Sequence, residues 1–128
     1  MSLPITTTVL ATLALLLVVL SIVTMVQRVR HDQPWGDGDI PELRRAVRAQ
    51  GNLVEYAPVL LLALAALELR GASVTLLAAL GASFVLARVA YVAYAFVTGH
   101  LALRILGFWG SVGPIAIASV WLLLGVAQ

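Results

Sequence analysis

The sequence has 128 residues, of which 62% are hydrophobic and only 11% are charged, and its mean hydropathy is +1.03. A soluble domain carries about 25% charged residues, so this chain has too few charges to cover its surface in water, and we predict an integral membrane protein. The absence of cysteine excludes a disulfide scaffold, a cysteine nucleophile and thiolate metal ligands. The net charge of +2 is too small to indicate a nucleic-acid partner.

Apolar runs predict four membrane-spanning helices, because a bilayer core about 30 Å thick needs roughly 20 helical residues. The predicted spans are residues 5–27, 43–69, 72–97 and 105–127, within a single domain 1–128. Turn-forming residues separate them in a polar connection over residues 28–41, at Gly71, and in a short loop over residues 98–103. The predicted fold class is therefore all-α, an integral-membrane four-helix bundle whose neighbouring helices are antiparallel because their links are short.

Glycines in the fourth span predict how it packs. Gly107, Gly110 and Gly113 recur every three residues. Small residues on one helix face allow a neighbouring backbone to approach closely. We therefore expect this face to pack against another helix.

The positions of the arginines predict the orientation in the membrane. Six of the eight arginines lie at the first and third connections, Arg70 marks the opposite end, and Arg88 lies within the third span. Loops rich in Arg are retained in the cytoplasm. We therefore predict that the first and third connections are cytoplasmic and that both termini lie outside.

The second span begins with a stripe of polar residues. Arg45, Arg48, Asn52 and Glu55 are spaced three, four and three residues apart and fall within an arc of about 80° on a helix. A solvated charge face is the simpler interpretation. Asn52 and Glu55, however, continue into an apolar span, where ionisable groups are expensive and usually functional. The stripe therefore favours a polar ligand site.

A second stripe occupies the third span. Arg88, Tyr91, Tyr94 and Thr98 follow one another at three- and four-residue steps and cover about 120° of the helix. Arg88 lies about 15 Å from the helix end, and its side chain would be strained if it extended that far to reach the interface. We therefore expect a partner within the bundle, such as Glu55. Together the two stripes predict a polar pocket that opens toward the cytoplasm.

The charges of this pocket indicate its ligand. Arg45, Arg48, Arg88 and Arg104 would bind carboxylates through two hydrogen bonds each, and Glu55 would bind an ammonium group. Glutathione carries two carboxylates and one amine. Because the chain has no cysteine, any thiol chemistry must use a substrate thiol, whose anion a nearby Arg or Tyr hydroxyl would stabilise.

A resemblance to a known family is carried by segment 48–58, RAQGNLVEYAP. This segment resembles the signature of the MAPEG family, the membrane-associated proteins of eicosanoid and glutathione metabolism. The chain length, the four spans, the Gly-Asp-Gly loop before the second helix, and Arg88 with Arg104 also fit bacterial-type members similar to microsomal glutathione transferases. The resemblance implies a homotrimer in a bacterial inner membrane, with glutathione bound between neighbouring subunits at the cytoplasmic side.

The resemblance also implies roles for individual residues. The resemblance implies contacts with glutathione at Arg48, Gln50, Asn52, Glu55, Tyr56, Arg88 and Tyr91. The first polar stripe adds Arg45 to this set. Arg104 resembles the arginine that stabilises the thiolate in enzymatic members, and it is the expected catalytic residue. The eicosanoid enzymes are rich in Tyr and Arg after the third helix. The chain departs from them there, because the polar side chains of residues 95–103 are only those of Thr98 and His100. Glutathione is the expected co-substrate, and no metal is expected.

The predicted function is that of a membrane-bound glutathione transferase, or glutathione-dependent peroxidase, that detoxifies lipophilic electrophiles reaching it from the bilayer. One alternative is a non-enzymatic MAPEG protein that binds lipid or glutathione, since a fold does not prove catalysis. Another is a small four-helix transporter. That class carries an essential carboxylate in its first span, whereas the first span here is uncharged.

Overall fold

The computed structural model describes residues 2–125 and consists of four long helices. These are α1 (Pro4–Arg30), α2 (Pro41–Leu69), α3 (Val74–Ala93) and α4 (Leu101–Leu124), and a single π-helical turn (Tyr94–Thr98, the π turn) continues α3. Each helix, with the π turn counted in α3, is long and apolar enough to cross a membrane. No strand occurs in residues 2–125. The predicted all-α fold with four membrane-spanning helices is confirmed.

The helices end within a few residues of the predicted spans, except at the third connection. There α4 begins at Leu101, so only Gly99 and His100 link it to the π turn, and the prediction of a loop to residue 103 is wrong. Gly99 adopts φ +66°, a left-handed conformation that glycine adopts without strain, and this reverses the chain within two residues. Arg104 therefore lies in the first turn of α4. Residues 126 and 127 of the predicted fourth span lie outside the described residues.

The core is built around α2, which contacts all three other helices. It contributes nine buried residues, more than any other helix. Its leucines Leu53, Leu60 and Leu64 are almost completely buried and pack in one cluster with Leu77 and Phe84 of α3. The face of α2 opposite to these leucines therefore lies outside the core of the subunit.

Glycines set the close approach of α4 to α3. A Cβ atom on Gly107 would lie 2.9 Å from the Cβ of Tyr91, and one on Gly110 would lie 2.6 Å from the Cβ of Ala87. The prediction of close packing is therefore confirmed for Gly107 and Gly110. It is wrong for Gly113, where an added Cβ would have no neighbour within 4 Å. Three-residue steps advance 300° around a helix, so Gly113 lies about 120° around α4 from Gly107.

Two side chains at the α2–α3 turn hold the ends of the outer helices. The Glu68 carboxylate accepts hydrogen bonds from the backbone N–H groups of Ile5 and Thr6, both at 2.9 Å, and from the Thr6 hydroxyl at 2.6 Å. The Arg70 Nη1 donates to the carbonyl of Leu122 at 3.0 Å. A carboxylate thus caps the N-terminus of α1 and a guanidinium caps the C-terminus of α4, each matching the partial charge of the helix end.

Candidate functional site

A cleft of about 570 Å³ opens at the end of the bundle where the first and third connections lie. Such a volume is typical of sites for small molecules. The residues that line the cleft are Arg44, Arg45 and Arg48 of α2, Tyr91 of α3, Tyr94, Ala95, Phe96, Val97 and Thr98 of the π turn, Gly99, and Arg104 of α4. Parts of the two polar stripes predicted from the sequence therefore meet at one end of the molecule, namely Arg45 and Arg48 of the first and Tyr91, Tyr94 and Thr98 of the second.

Four arginines line the cleft, and we call Arg44, Arg45, Arg48 and Arg104 the cationic wall. Arg44 is held by the first connection, because its Nε lies 2.9 Å from Asp37 Oδ2 and its Nη2 lies 2.5 Å from Asp39 Oδ1. These are the ion pairs within residues 2–125. Arg45, Arg48 and Arg104 are exposed and have no acidic partner in that part of the chain, so their guanidinium groups are available to an anion.

The Asp37–Arg44 pair shapes the charge of the first connection. The hydrogen bond from the Arg44 side chain holds the pKa of the Asp37 carboxyl below its ordinary value, and the backbone N–H of Asp39 lowers it further. Asp37 therefore stays ionised and bound to Arg44 in the neutral pH range. The cleft consequently gains most of its positive potential from Arg45, Arg48 and Arg104.

The π turn also lines the cleft. The N–H of Gly99 donates to the carbonyl of Tyr94 at 3.0 Å and closes the turn. A π-helical turn is wider than an α-helical turn and is found frequently at functional sites. The rings of Tyr91 and Tyr94 lie 5.8 Å apart at an angle of 55°, and both line the cleft. Two phenols thus line the same cleft as the cationic wall.

Arg88 lies behind Tyr91 and is only 4% exposed. Its Nη2 donates to the carbonyl of Gly107 and to the hydroxyl of Ser111 on α4. Its guanidinium carbon lies 5.8, 5.5 and 5.6 Å from the ring centres of Tyr56, Phe84 and Tyr91. Within residues 2–125 its Nε and Nη1 atoms find no hydrogen-bond partner.

The expected pairing of Arg88 with Glu55 is wrong within the subunit. Arg88 bonds to α4 instead, because Gly107 has no side chain to shield its carbonyl and Ser111 follows one turn later. Glu55 is exposed on the outer face of α2, away from the core. Arg88 therefore joins α3 to α4 and does not line the cleft.

The structure brings together some of the predicted ligand residues and separates others. Those that line the cleft are Arg45, Arg48, Tyr91 and Arg104. Those that do not are Gln50, Asn52, Glu55, Tyr56 and Arg88. Gln50 points to the other side of α2 and donates its Nε2 to Ser21 Oγ of α1 at 3.0 Å. Asn52 and Tyr56 are partly buried below the cleft.

Several residues line the cleft although the sequence did not single them out as ligand residues. Arg44 was not assigned because the stripe was traced from Arg45 at three- and four-residue steps, although Arg44 lies only about 40° around the helix from Arg48. Tyr94 belonged to the predicted stripe of α3 but was not given a role. Thr98 likewise belonged to that stripe without a role. The lining contributed by residues 95–97 follows from the π turn, which α-helical periodicity does not reveal.

Comparison with known proteins places the chain in a family. The model of the MAPEG family matches residues 6–124. The chain is 37% identical over 59 residues to the inner membrane protein YecN of Escherichia coli strain K12 and, equally, to that of Escherichia coli O6:H1 strain CFT073. The matched segment covers 46% of this chain and 45% of each relative, so less than half of the relatives' length is matched. No solved structure matches the chain significantly. Because the family model covers almost its whole length, the chain belongs to the MAPEG family.

Proposed function

We propose that this protein is a membrane-bound glutathione transferase, with glutathione-dependent peroxidase activity, that acts on lipophilic electrophiles. The observation that carries the proposal is the cleft, which is lined by Tyr91 and Tyr94 and by three arginines that have no acidic partner within residues 2–125, Arg45, Arg48 and Arg104. Membership of the MAPEG family supports it. A cleft with this charge would attract a peptide that carries two carboxylates and a thiol.

Arg45 and Arg48 are the proposed carboxylate ligands. They lie on the same face of α2 and are both exposed, and a guanidinium group binds a carboxylate through two parallel hydrogen bonds. Glu55 is the proposed partner of the glutathione ammonium group. It lies two helical turns beyond Arg48, about 10 Å along the helix axis, which fits a tripeptide that lies along the stripe.

The exposed carboxylate of Glu55 supports contact with a neighbouring subunit, and the resemblance to MAPEG proteins suggests that the assembly is a homotrimer. Glu55 faces outward from the subunit, on a helix long and apolar enough to cross a membrane, and a charge there is expensive to place against lipid. A neighbouring subunit would cover it and would complete the glutathione site, to which Asn52 and Tyr56 would add contacts. Gln50 and Arg88 would instead hold α2 against α1 and α3 against α4.

Arg104 is the proposed thiolate-stabilising residue. It is exposed at the mouth of the cleft, and an arginine stays charged at all physiological pH values, so it favours the thiolate without consuming a proton. In the reaction the thiol releases its proton to solvent, the thiolate sulfur forms a bond to the electrophilic carbon, and the leaving group departs with the bonding electron pair. In the peroxidase reaction two glutathione molecules are oxidised to the disulfide while one hydroperoxide is reduced to an alcohol and water.

The proposed location is a bacterial inner membrane, with the cleft at the cytoplasmic face and both termini outside. Six arginines lie on the helix ends that flank the first and third connections, at the same end as the cleft, and this fits the distribution of positive charge in membrane proteins. They are Arg28, Arg30, Arg44, Arg45, Arg48 and Arg104. The relative named YecN is described as an inner membrane protein. Glutathione would thus enter from the cytoplasm and the electrophile from the bilayer.

The proposal is tested with protein purified in mild detergent, glutathione and a generic aryl halide. We expect conjugation above the uncatalysed rate, together with calorimetric binding of glutathione and a trimer in native mass spectrometry. Substitutions of Arg48 and Arg104 should lower binding or turnover, and the same substitution at Arg30 is the control. Arg30 is an exposed arginine at the same end of the bundle that does not line the cleft. Binding without turnover would favour the non-enzymatic alternative. A protein that neither binds glutathione nor turns it over would refute the proposal.

A further inference from the structure

A second concavity, of about 400 Å³, lies between α1 and α3, and we call it the α1–α3 groove. It is lined by Ile5, Thr8, Val9 and Thr12 of α1 and by Ala78, Gly81, Ala82, Val85 and Leu86 of α3. The Thr8 hydroxyl donates to the carbonyl of Pro4 at 2.8 Å, and the Thr12 hydroxyl donates to the carbonyl of Thr8 at 2.9 Å. Both hydroxyl protons are thus used within α1, and the groove presents an apolar wall to a ligand.

Short side chains on α3 keep the groove open. At its base Val9 packs against Gly81 so closely that a Cβ on the glycine would lie 2.5 Å from Val9 Cγ2, and both residues are buried. Ala78 and Ala82 flank this contact and are exposed. Because a methyl group is too short to fill the space above Val9, the two helices touch at the base and leave a channel along their outer side.

The length of the groove fits one leaflet of a bilayer. Its lining extends about 10 Å along α1, from Ile5 to Thr12, and about 12 Å along α3, from Ala78 to Leu86, at 1.5 Å per residue. Half of a bilayer core is about 15 Å thick. Both helices are long and apolar enough to cross a membrane. The groove therefore begins at the membrane surface opposite to the cleft and runs into the leaflet where the acyl chains of phospholipids lie.

A carboxylate lies where the groove meets that surface. Ile5, which lines the groove, donates its backbone N–H to Glu68 Oε1 at 2.9 Å. The two bonds from Thr6 go to Oε2, so Oε1 keeps a second acceptor site. Glu68 has no basic partner within residues 2–125, and the N-terminus of α1 offsets only about half of its charge. The mouth of the groove is therefore negative and complementary to an ammonium group.

We propose that the α1–α3 groove binds an acyl chain of a membrane phospholipid whose headgroup carries an ammonium group, and that Glu68 binds this group. Lipid tails are as apolar as the groove, so no hydrophobic force favours binding. Van der Waals contact with two helices and a charged hydrogen bond to Glu68 distinguish this lipid from its neighbours. The inference is independent of the proposed glutathione site, because the groove and the cleft share no residue.

Native mass spectrometry of the protein in mild detergent tests the proposal by counting bound lipids. The probes are phosphatidylethanolamine, which carries an ammonium group, and phosphatidylglycerol with the same acyl chains, which carries none. The wild type should bind phosphatidylethanolamine in preference. Ala82→Phe and Ala78→Phe each place a ring in the groove and should lose this lipid. Ala79→Phe is the matched control, because Ala79 is an exposed alanine on α3 that does not line the groove, and it should bind as the wild type does.

Glu68→Gln tests the headgroup contact separately. This variant should bind the two lipids equally, while Glu42→Gln, at the opposite end of α2, should keep the preference of the wild type. Equal loads of phosphatidylethanolamine on both groove variants and on Ala79→Phe, at matched unfolding temperatures, would overturn the acyl-chain site. An unchanged preference in Glu68→Gln would overturn the headgroup contact. Dissociation of an oligomer by the groove variants alone would show that a second copy of the chain occupies the groove, and the inference would then fail.

Discussion

Gly107 of α4 packs against Tyr91 of α3 so closely that a Cβ on the glycine would lie 2.9 Å from the Cβ of the tyrosine. The contact is with the base of the tyrosine side chain, which cannot rotate away. The same added Cβ would lie 3.3 Å from the carbonyl oxygen of Ala87. Gly107 therefore determines where Tyr91 stands in the cleft, although it does not line the cleft itself.

Gly107→Ala should force α4 away from α3. Overpacking of this kind costs about 1–3 kcal/mol, so the variant should unfold at a lower temperature in detergent, and glutathione affinity should fall because Tyr91 moves. Gly113→Ala is the control, since the new methyl group would meet open space. Equal thermal stability of the two variants and the wild type would contradict the described packing of α4 on α3.

Ser111→Ala should destabilise the protein by leaving part of the buried Arg88 guanidinium without an acceptor. Loss of one hydrogen bond to a charged group corresponds to about 1.5–3 kcal/mol. The double variant Arg88→Leu with Ser111→Ala should recover part of this loss, because both partners are then replaced by apolar groups. Ser119→Ala, a partly buried serine on the same helix, is the control. The measurement is the unfolding temperature in detergent. If the double variant lost as much stability as the sum of the losses in Arg88→Leu and Ser111→Ala, the hydrogen bond between Arg88 and Ser111 would be contradicted.

Arg48→Ala and Glu55→Gln should each weaken glutathione binding by about 1.5–3 kcal/mol, the range for a hydrogen bond to a charged group. Isothermal calorimetry measures the effect. Arg30→Ala and Glu42→Gln make the same changes at exposed positions outside the cleft and should leave the affinity unchanged. Unaltered affinity in both test variants would remove these residues from the proposed site, provided that their unfolding temperatures match the wild type.

Arg104→Leu should reduce turnover sharply while glutathione affinity changes by no more than a few-fold. A downward shift of two units in the thiol pKa corresponds to about 2.7 kcal/mol of stabilisation of the thiolate, and this variant should lose it. The ultraviolet absorbance of bound thiolate at pH 7 should therefore disappear in Arg104→Leu and persist in Arg30→Leu. Persistence of that absorbance in Arg104→Leu would shift the role to Tyr91 or Tyr94.

The Asp37–Arg44 pair should be sensitive to acid. The pKa of Asp37 is lower in the folded protein than that of an unpaired aspartate, because the carboxylate accepts a hydrogen bond from Arg44. The pair therefore contributes stability above the unfolded pKa, and this contribution is lost as the pH falls through the folded pKa. The carboxyl chemical shift of Asp37 in the wild type should titrate at a lower pH than that of an unpaired aspartate. In Arg44→Gln it should titrate at a higher pH, and an identical titration in both proteins would show that the pair does not form in solution.

The sequence by itself determined the number and the approximate ends of the helices, because the thickness of a bilayer sets how long an apolar run must be. It also predicted that Arg45, Arg48, Tyr91 and Arg104 belong together. Antiparallel helices with short links bring the first and third connections to one end, and helical periodicity places residues three and four apart on one stripe.

Only the tertiary structure decided what each polar side chain contacts. Periodicity gives the direction of a residue around its own helix but not the rotation of that helix against its neighbours, so it predicted neither the bond from Gln50 to Ser21 nor the bonds from Arg88 to Gly107 and Ser111. The cleft also depends on the π turn. One extra residue in a helical turn changes the direction of every side chain after it, and a pattern based on 3.6 residues per turn carries no record of that change.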